Sequence, residues 1–328
     1  MTRSKDTLSR QRPDERSASK HQVTISQSNQ DESVQTSLPE ELRASTRQRH
    51  HALNIQITRR LPLCLPPIVD SPLTYTKGMI VFGQIYFAIE TFLDAQLASS
   101  QLDRRLRHIY ERVCFPWLLR SRRLQNDIET LKSDLLRSQI EELEALVEES
   151  RGFRRQIEGS LSARPHVMLA YTWTMYLALF NGGRWIRGQL VSAGPEFWRA
   201  GAFPLSFWDF RSEGEVNGDE RLKDEFKGGF REAASFLTEN EKRDVVEETL
   251  NLFDLFAKMM QFLDDKTTTC PSQPVSAGLP SPAASSQLKK SIGANSTMGS
   301  LWQYMVSACS LLGIPASTPG RHKATSAG

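Results

Sequence analysis

Two adjacent glycines, Gly182 and Gly183, stand in the middle of a segment whose other residues favour a helix, YLALFNGGRWI over 176–186. Each glycine in a helix interior costs roughly 1 kcal/mol against alanine. A pair makes sense where the helix must bend, or where something flat or another helix must lie against bare backbone. The segment is therefore expected to be helical, with either a bend or one face kept free of side chains.

The pattern around it divides the chain into three. Residues 1–36 are rich in Ser, Gln, Arg and Asp and nearly free of large apolar side chains, which predicts disorder. Residues 37–266 read as helical almost throughout. From Thr267 a low-complexity tail (267–328) rich in Ser, Pro, Ala and Thr follows, as in CPSQPVSAGLPSPAASS. Inside it Gly299–Pro315, GSLWQYMVSACSLLGIP, is uncharged and moderately apolar. It falls short of the ~20 apolar residues of a spanning helix, so weak contact with a membrane surface, or docking, is the expectation.

Within the helical part, Ser37-Leu38-Pro39-Glu40 has the spacing of a capping box and opens a helix that runs to about Arg60. Leu61-Pro62 and Pro66-Pro67 stop it. A helix over 72–98 carries Ile80, Phe82, Ile85, Phe87, Ile89 and Phe92, apolar enough for the centre of a core. Further helices are expected over 101–123, 124–160, 166–191, 220–236 and 239–264, the last opening on Thr238 with Glu241 three residues on. No alternating strand run and no repeat occurs, which predicts a single all-α domain over 37–266.

Composition narrows the partners. A net charge of +3 gives no case for nucleic acid. Four widely spaced cysteines, Cys64, Cys114, Cys270 and Cys309, form no CxxC pair, which argues against zinc and against a disulfide framework. The first residues lack an apolar run, so no secretory signal is expected and a reducing, cytoplasmic home is the simplest.

The first helix carries the chemistry. Arg43, Arg47, His50 and Asn54 fall at i, i+4, i+7 and i+11, along one stripe flanked by Leu53 and Ile57. An imidazole beside an apolar wall, with guanidinium groups a turn or two away, suits a metal macrocycle that bears carboxylates. A helix with one partly buried histidine and solvated arginines has the same pattern, and this helix alone leaves both readings open.

Three segments taken together resemble the heme oxygenases: LRASTRQRHHALN (42–54), GMIVFGQIYFAIE (78–90) and HVMLAYTWTMYLALFNGGRWIRGQL (166–190). LPLCLPP (61–67) is similar to a segment of the fungal heme oxygenase-like branch. The resemblance covers about residues 38–265 in the right helix order. It implies a heme-oxygenase-like helical bundle that binds heme b, with His50 as the axial ligand of the iron. His51 points about 100° away around the helix. The resemblance further implies that Arg43, Arg47, Lys227 and Arg231 hold the propionates, and that Gly182 and Gly183 let the helix lie over the porphyrin. Ring opening to biliverdin, iron and carbon monoxide would follow, with electrons from a separate reductase, since the chain shows no flavin or dinucleotide motif.

The departures matter as much. The family's distal Gly-Asp is Ala178-Leu179 here, and leucine offers neither donor nor acceptor for the water network that the aspartate organises. Asn181 stands where serine is common and is the expected holder of a distal water. Asn54 replaces the glutamate four residues after the proximal histidine. A second expectation therefore stands beside the enzyme: a catalytically altered heme binder that senses, buffers or delivers heme. A di-iron centre would want Glu-x-x-His spacing, which is absent, and Cys64 and Cys114 flank prolines without a recognisable histidine partner.

Overall fold

The computed structural model describes residues 36–199, 203–210 and 218–268. The expectations for the N-terminal segment before Thr36 and for the tail after Thr268, Gly299–Pro315 included, lie outside the described residues. All regular structure among the described residues is helical. The helices are α1 (Leu38–Arg60), α2 (Leu73–Ala98), α3 (Arg104–Val113), α4 (Ser121–Lys132), α5 (Arg137–Ala163), α6 (Met168–Ala178), α7 (Arg184–Ser192), α8 (Pro195–Trp198), α9 (Gly218–Ser235) and α10 (Glu239–Thr268). A π-helical turn, Leu179–Gly183, joins α6 to α7.

The centre of the core is α2, whose Ile80, Val81, Ile85, Ala88, Ile89 and Leu93 are buried. It is long and apolar enough to cross a membrane, yet most of it is buried inside the bundle against α4, α5 and α10. Full burial of each large side chain stabilises the fold by about 1.5–3 kcal/mol. By contrast α1 buries only Leu38, Pro39 and Leu42. Both capping boxes form. The Glu40 carboxylate accepts from Ser37 N–H at 3.1 Å and Ser37 Oγ at 2.7 Å. At α10, Thr238 N–H donates to Glu241 at 2.8 Å and Glu241 N–H donates to Thr238 Oγ1 at 3.3 Å.

Two expected helices are each broken. The one over 101–123 ends at Val113, and a 3-10 turn, Pro116–Leu118, follows, because Pro116 lacks an N–H and forces Phe115 into extended backbone. The one over 124–160 divides at Ser133–Leu136, where Ser133 Oγ takes the Thr130 carbonyl at 2.8 Å and competes with the helical bond.

Paired contacts give the directions. α10 runs parallel to α1, with Phe253 beside His50 and Asp264 bonded to Arg60. It also runs parallel to α6, with Asp244 against His166 at 2.9 Å and Glu248 bonded to Tyr171. One helix thus sets the spacing of the two that carry the candidate site. On that common axis His50 lies within roughly one turn of Tyr176–Ala178.

Candidate functional site

His50 sits on the outer face of α1. It is exposed, yet its imidazole lies below the usual histidine pKa, first because packing removes hydration and then because His51 is adjacent. The poor hydration favours its neutral form. Phe253 presents its edge to the ring at 6.3 Å between centroids. Asn54, one turn on, brings its amide to 3.4 Å from His50 Nδ1. The atom that faces Nδ1 is Asn54 Nδ2, so the amide donates there and orients the ring.

A turn and more toward the N-terminus, a cavity of about 250 Å³ is lined by Pro39, Arg43, Trp173, Asp224, Lys227 and Arg231. Arg43 comes from α1, Trp173 from α6 and the rest of the charges from α9. The Arg43 guanidinium lies 5.6 Å from the Trp173 ring centre, and Lys227 Nζ is 3.6 Å from Asp224. Three cations face one carboxylate, so the cavity is electropositive. Arg43, Lys227 and Arg231 are brought together as expected. Arg47 is exposed and is not among the lining residues.

The turn that follows α6 leaves a stretch of bare backbone. Ala178 and Gly182 are exposed. A Cβ built on Gly182 would meet nothing within 4 Å, whereas one on Gly183 would lie 3.4 Å from Trp208 Cε3. The two glycines therefore serve different faces: Gly182 leaves room outside, and Gly183 admits the Trp208 ring. Asn181 is half-buried, and Leu179 is only 3% exposed, turned into the core.

The wide turn is held from two sides. Arg184 Nε donates to the Phe180 carbonyl at 3.0 Å, and its guanidinium pairs with Glu220 of α9. Behind it lies the segment Phe203–Phe210. Asp127 accepts from Ser206 N–H at 3.1 Å and Phe207 N–H at 2.7 Å, Trp208 Nε1 donates to Tyr75 at 2.9 Å, and Phe210 stacks on Phe180 at 4.2 Å. Sequence reasoning missed Thr174, whose hydroxyl is buried without a partner one turn before Ala178. The signal was its i−4 spacing from Ala178, on the stripe that reaches Gly182.

Other chemistry is muted. Burial pushes the thiols of Cys64 and Cys114 up to about 11, which leaves them poor nucleophiles at neutral pH. His166 pairs with Asp244 across helices, and His108 has Glu111 at 3.8 Å.

A histidine on α1, an electropositive cavity about two helical turns from it and a glycine-bearing turn after α6 stand within one all-α bundle, whose fold is that of a heme-oxygenase-like protein. Residues 36–262 match the model of the heme oxygenase family, and the chain belongs to that family. Heme-binding protein HMX1 of Saccharomyces cerevisiae is 24% identical over 231 residues, 64% of this chain and 69% of that protein. The structure of heme oxygenase 2 from Chlamydomonas reinhardtii, solved without heme, is similar with a TM-score of 0.55 at 17% identity, over 69% of this chain and 97% of that one. At that identity the likeness speaks for the fold alone.

Proposed function

We propose that this chain binds heme b and opens its ring, with electrons from a separate reductase. The observation that carries the reading is the convergence of Arg43 with Lys227 and Arg231 on one cavity, two helical turns from a histidine whose neutral form is favoured. The donor set suits the group: an imidazole nitrogen for iron, guanidinium and ammonium for two carboxylates, and a Gly182 face with room for a flat ring. Bound heme supplies an iron centre that turns dioxygen against the macrocycle itself, toward biliverdin, iron and carbon monoxide.

The protein's own part is placement. His50 offers its imidazole and Asn54 orients the ring. Phe253 shields the ring edge from water. Ala178 and Gly182 allow close approach. The free Thr174 hydroxyl and Asn181 are the groups to hold water on the distal side, where Leu179 supplies none. That buried leucine favours a second reading, in which bound heme stays intact and the protein senses, buffers or delivers it. A cytoplasmic location is part of the first proposal.

Hemin titrated into the purified protein and into His50→Ala, followed at the Soret band, tests the ligand. A saturable equimolar shift that is altered or weakened at least tenfold in the variant is expected. A titration of the wild type identical to hemin in buffer sinks both readings. Reductase and NADPH added to the complex then separate them: a green product supports ring opening, and a persistent Soret band supports the holder.

A further inference from the structure

A second cavity, of about 280 Å³, lies where three connections of the bundle meet. Asp70 comes from the link between α1 and α2, Asp134 and Leu136 from the link between α4 and α5, and Trp198 and Arg199 from the end of α8. The cavity shares no lining residue with that of Arg43, Lys227 and Arg231.

One part of its lining is apolar and fixed. Leu131, Pro72 and Trp198 are buried. Trp198 Nε1 donates to the Leu190 carbonyl at 3.0 Å, and the indole meets Tyr75 edge to face at 5.2 Å between ring centres. With its one N–H engaged, the indole offers an occupant only apolar ring. Leu136 also lines the cavity and is 69% exposed, which leaves apolar surface for an occupant to cover.

The rest of the lining is polar and carries both signs. Asp70 and Asp134 are exposed, and no hydrogen bond or ion pair engages either carboxylate among the described residues. Gln139 accepts from Leu136 N–H through Oε1 at 3.0 Å, so its amide hydrogens remain to donate. Arg199 ends α8 in left-handed backbone, φ 56°, which long side chains rarely adopt. Its Nη2 donates to the Asp70 carbonyl at 3.4 Å, a long bond that leaves most of the guanidinium free.

One guanidinium and two carboxylates around an apolar lining select an occupant by charge. A plain amine would leave Arg199 unanswered, and a plain carboxylate would meet Asp70 and Asp134 as like charges. A zwitterion answers both. At ~30 Å³ for each water, the volume equals about nine waters, which suits a molecule of about nine heavy atoms. We propose that this cavity binds a free α-amino acid with an aliphatic side chain. Its carboxylate pairs with Arg199, its ammonium with Asp70 and Asp134, and its side chain covers Leu131, Pro72 and Trp198. Such a ligand ties the three connections together, so it raises the melting temperature by mass action.

Calorimetric titration of the full chain with L-leucine tests this, beside isoamylamine and isocaproate, each of which lacks one of its two charges. Saturable one-to-one binding of L-leucine is expected, weakened at least tenfold in Asp134→Asn and in Arg199→Gln, with both analogues at least tenfold weaker on the wild type. Asp134 and Arg199 are exposed, so without ligand the variants should melt where the wild type does. No binding of L-leucine at millimolar concentration overturns the proposal. So does an analogue that binds as tightly as L-leucine, which would make the cavity a site for a single charge. Binding that is unchanged in either variant overturns it as well, because the zwitterion would then be held elsewhere or by other groups.

Discussion

The two walls of the cleft are built on opposite principles. On α1 the side chains would do the chemistry of the proposed site: the helix is regular, buries little, and leaves His50 and Asn54 exposed and Arg43 half-buried. Across from it the side chains withdraw. Leu179 and Phe180 point into the core, Gly183 admits Trp208, and Ala178 and Gly182 leave a face of backbone. If the proposed site holds heme, the difference makes holding the cofactor and acting on it separable. The wall that would bind keeps a full set of polar groups, and the wall that would steer a reaction keeps one unpartnered hydroxyl, Thr174, and one amide, Asn181.

The strongest test of that division is Leu179→Asp. If the side chain at 179 belongs to the core, a carboxylate there is buried without a partner and costs about 2–4 kcal/mol in urea unfolding. A cost under about 1 kcal/mol, together with faster loss of the Soret band under a reductase, would show that position 179 opens onto the cleft and break the comparison. Gly182→Leu is expected next in size. Nothing lies within 4 Å of the new Cβ, so the apoprotein should melt where wild type does, while hemin affinity falls at least tenfold. Equal hemin affinity would mean that the open face of the turn is not the binding face. Asn54→Leu acts on the other wall, where the bond to His50 is long at 3.4 Å. Hemin affinity should fall only severalfold, with a shifted spectrum of the complex as the sign of a freed imidazole.

Local patterns were legible in the sequence and long-range pairings were not. Both capping boxes, the apolar run of α2 and the His50–Asn54 spacing lie within a turn or a helix, where periodicity reports them. The helix expected over 101–123 runs through Pro116, the very residue that breaks it after α3, whereas the break at Ser133 has no proline and rests on a hydroxyl that competes for one carbonyl. The glycine pair announced a special turn, but its two roles depend on Trp208, which reaches Gly183 through a loop that Asp127 of α4 holds in place. Lys227 and Arg231 have the spacing of any exposed pair, and only the resemblance singled them out. The cavity that joins them to Arg43 comes from the packing of α1, α6 and α9, which no local pattern encodes.

The smallest effect concerns what keeps the two walls apart. α10 lies parallel to both, and its first turn is pinned by Glu241, which takes both ends of the Arg105 guanidinium at 2.7 Å as well as the Thr238 cap. Those bonds, Arg105 first, hold the Glu241 carboxyl down to about 2 against an ordinary value near 4.5. An acid so depressed contributes its stability above the unfolded value and loses it as pH falls from about 4.5 toward about 2, where the folded form also takes the proton. Glutamine can still serve a capping box, so Glu241→Gln removes mainly the charge. Because Arg105 is substantially exposed, water screens the pair, and a loss of only about 0.5–1 kcal/mol at pH 7 is expected. Urea unfolding at descending pH should bring the two proteins together as pH approaches the lower value. A gap that persists there would assign the loss to the cap rather than to the ion pair. Unchanged hemin affinity at pH 7 would show that the anchor holds the fold while leaving the spacing of the walls to the rest of α10.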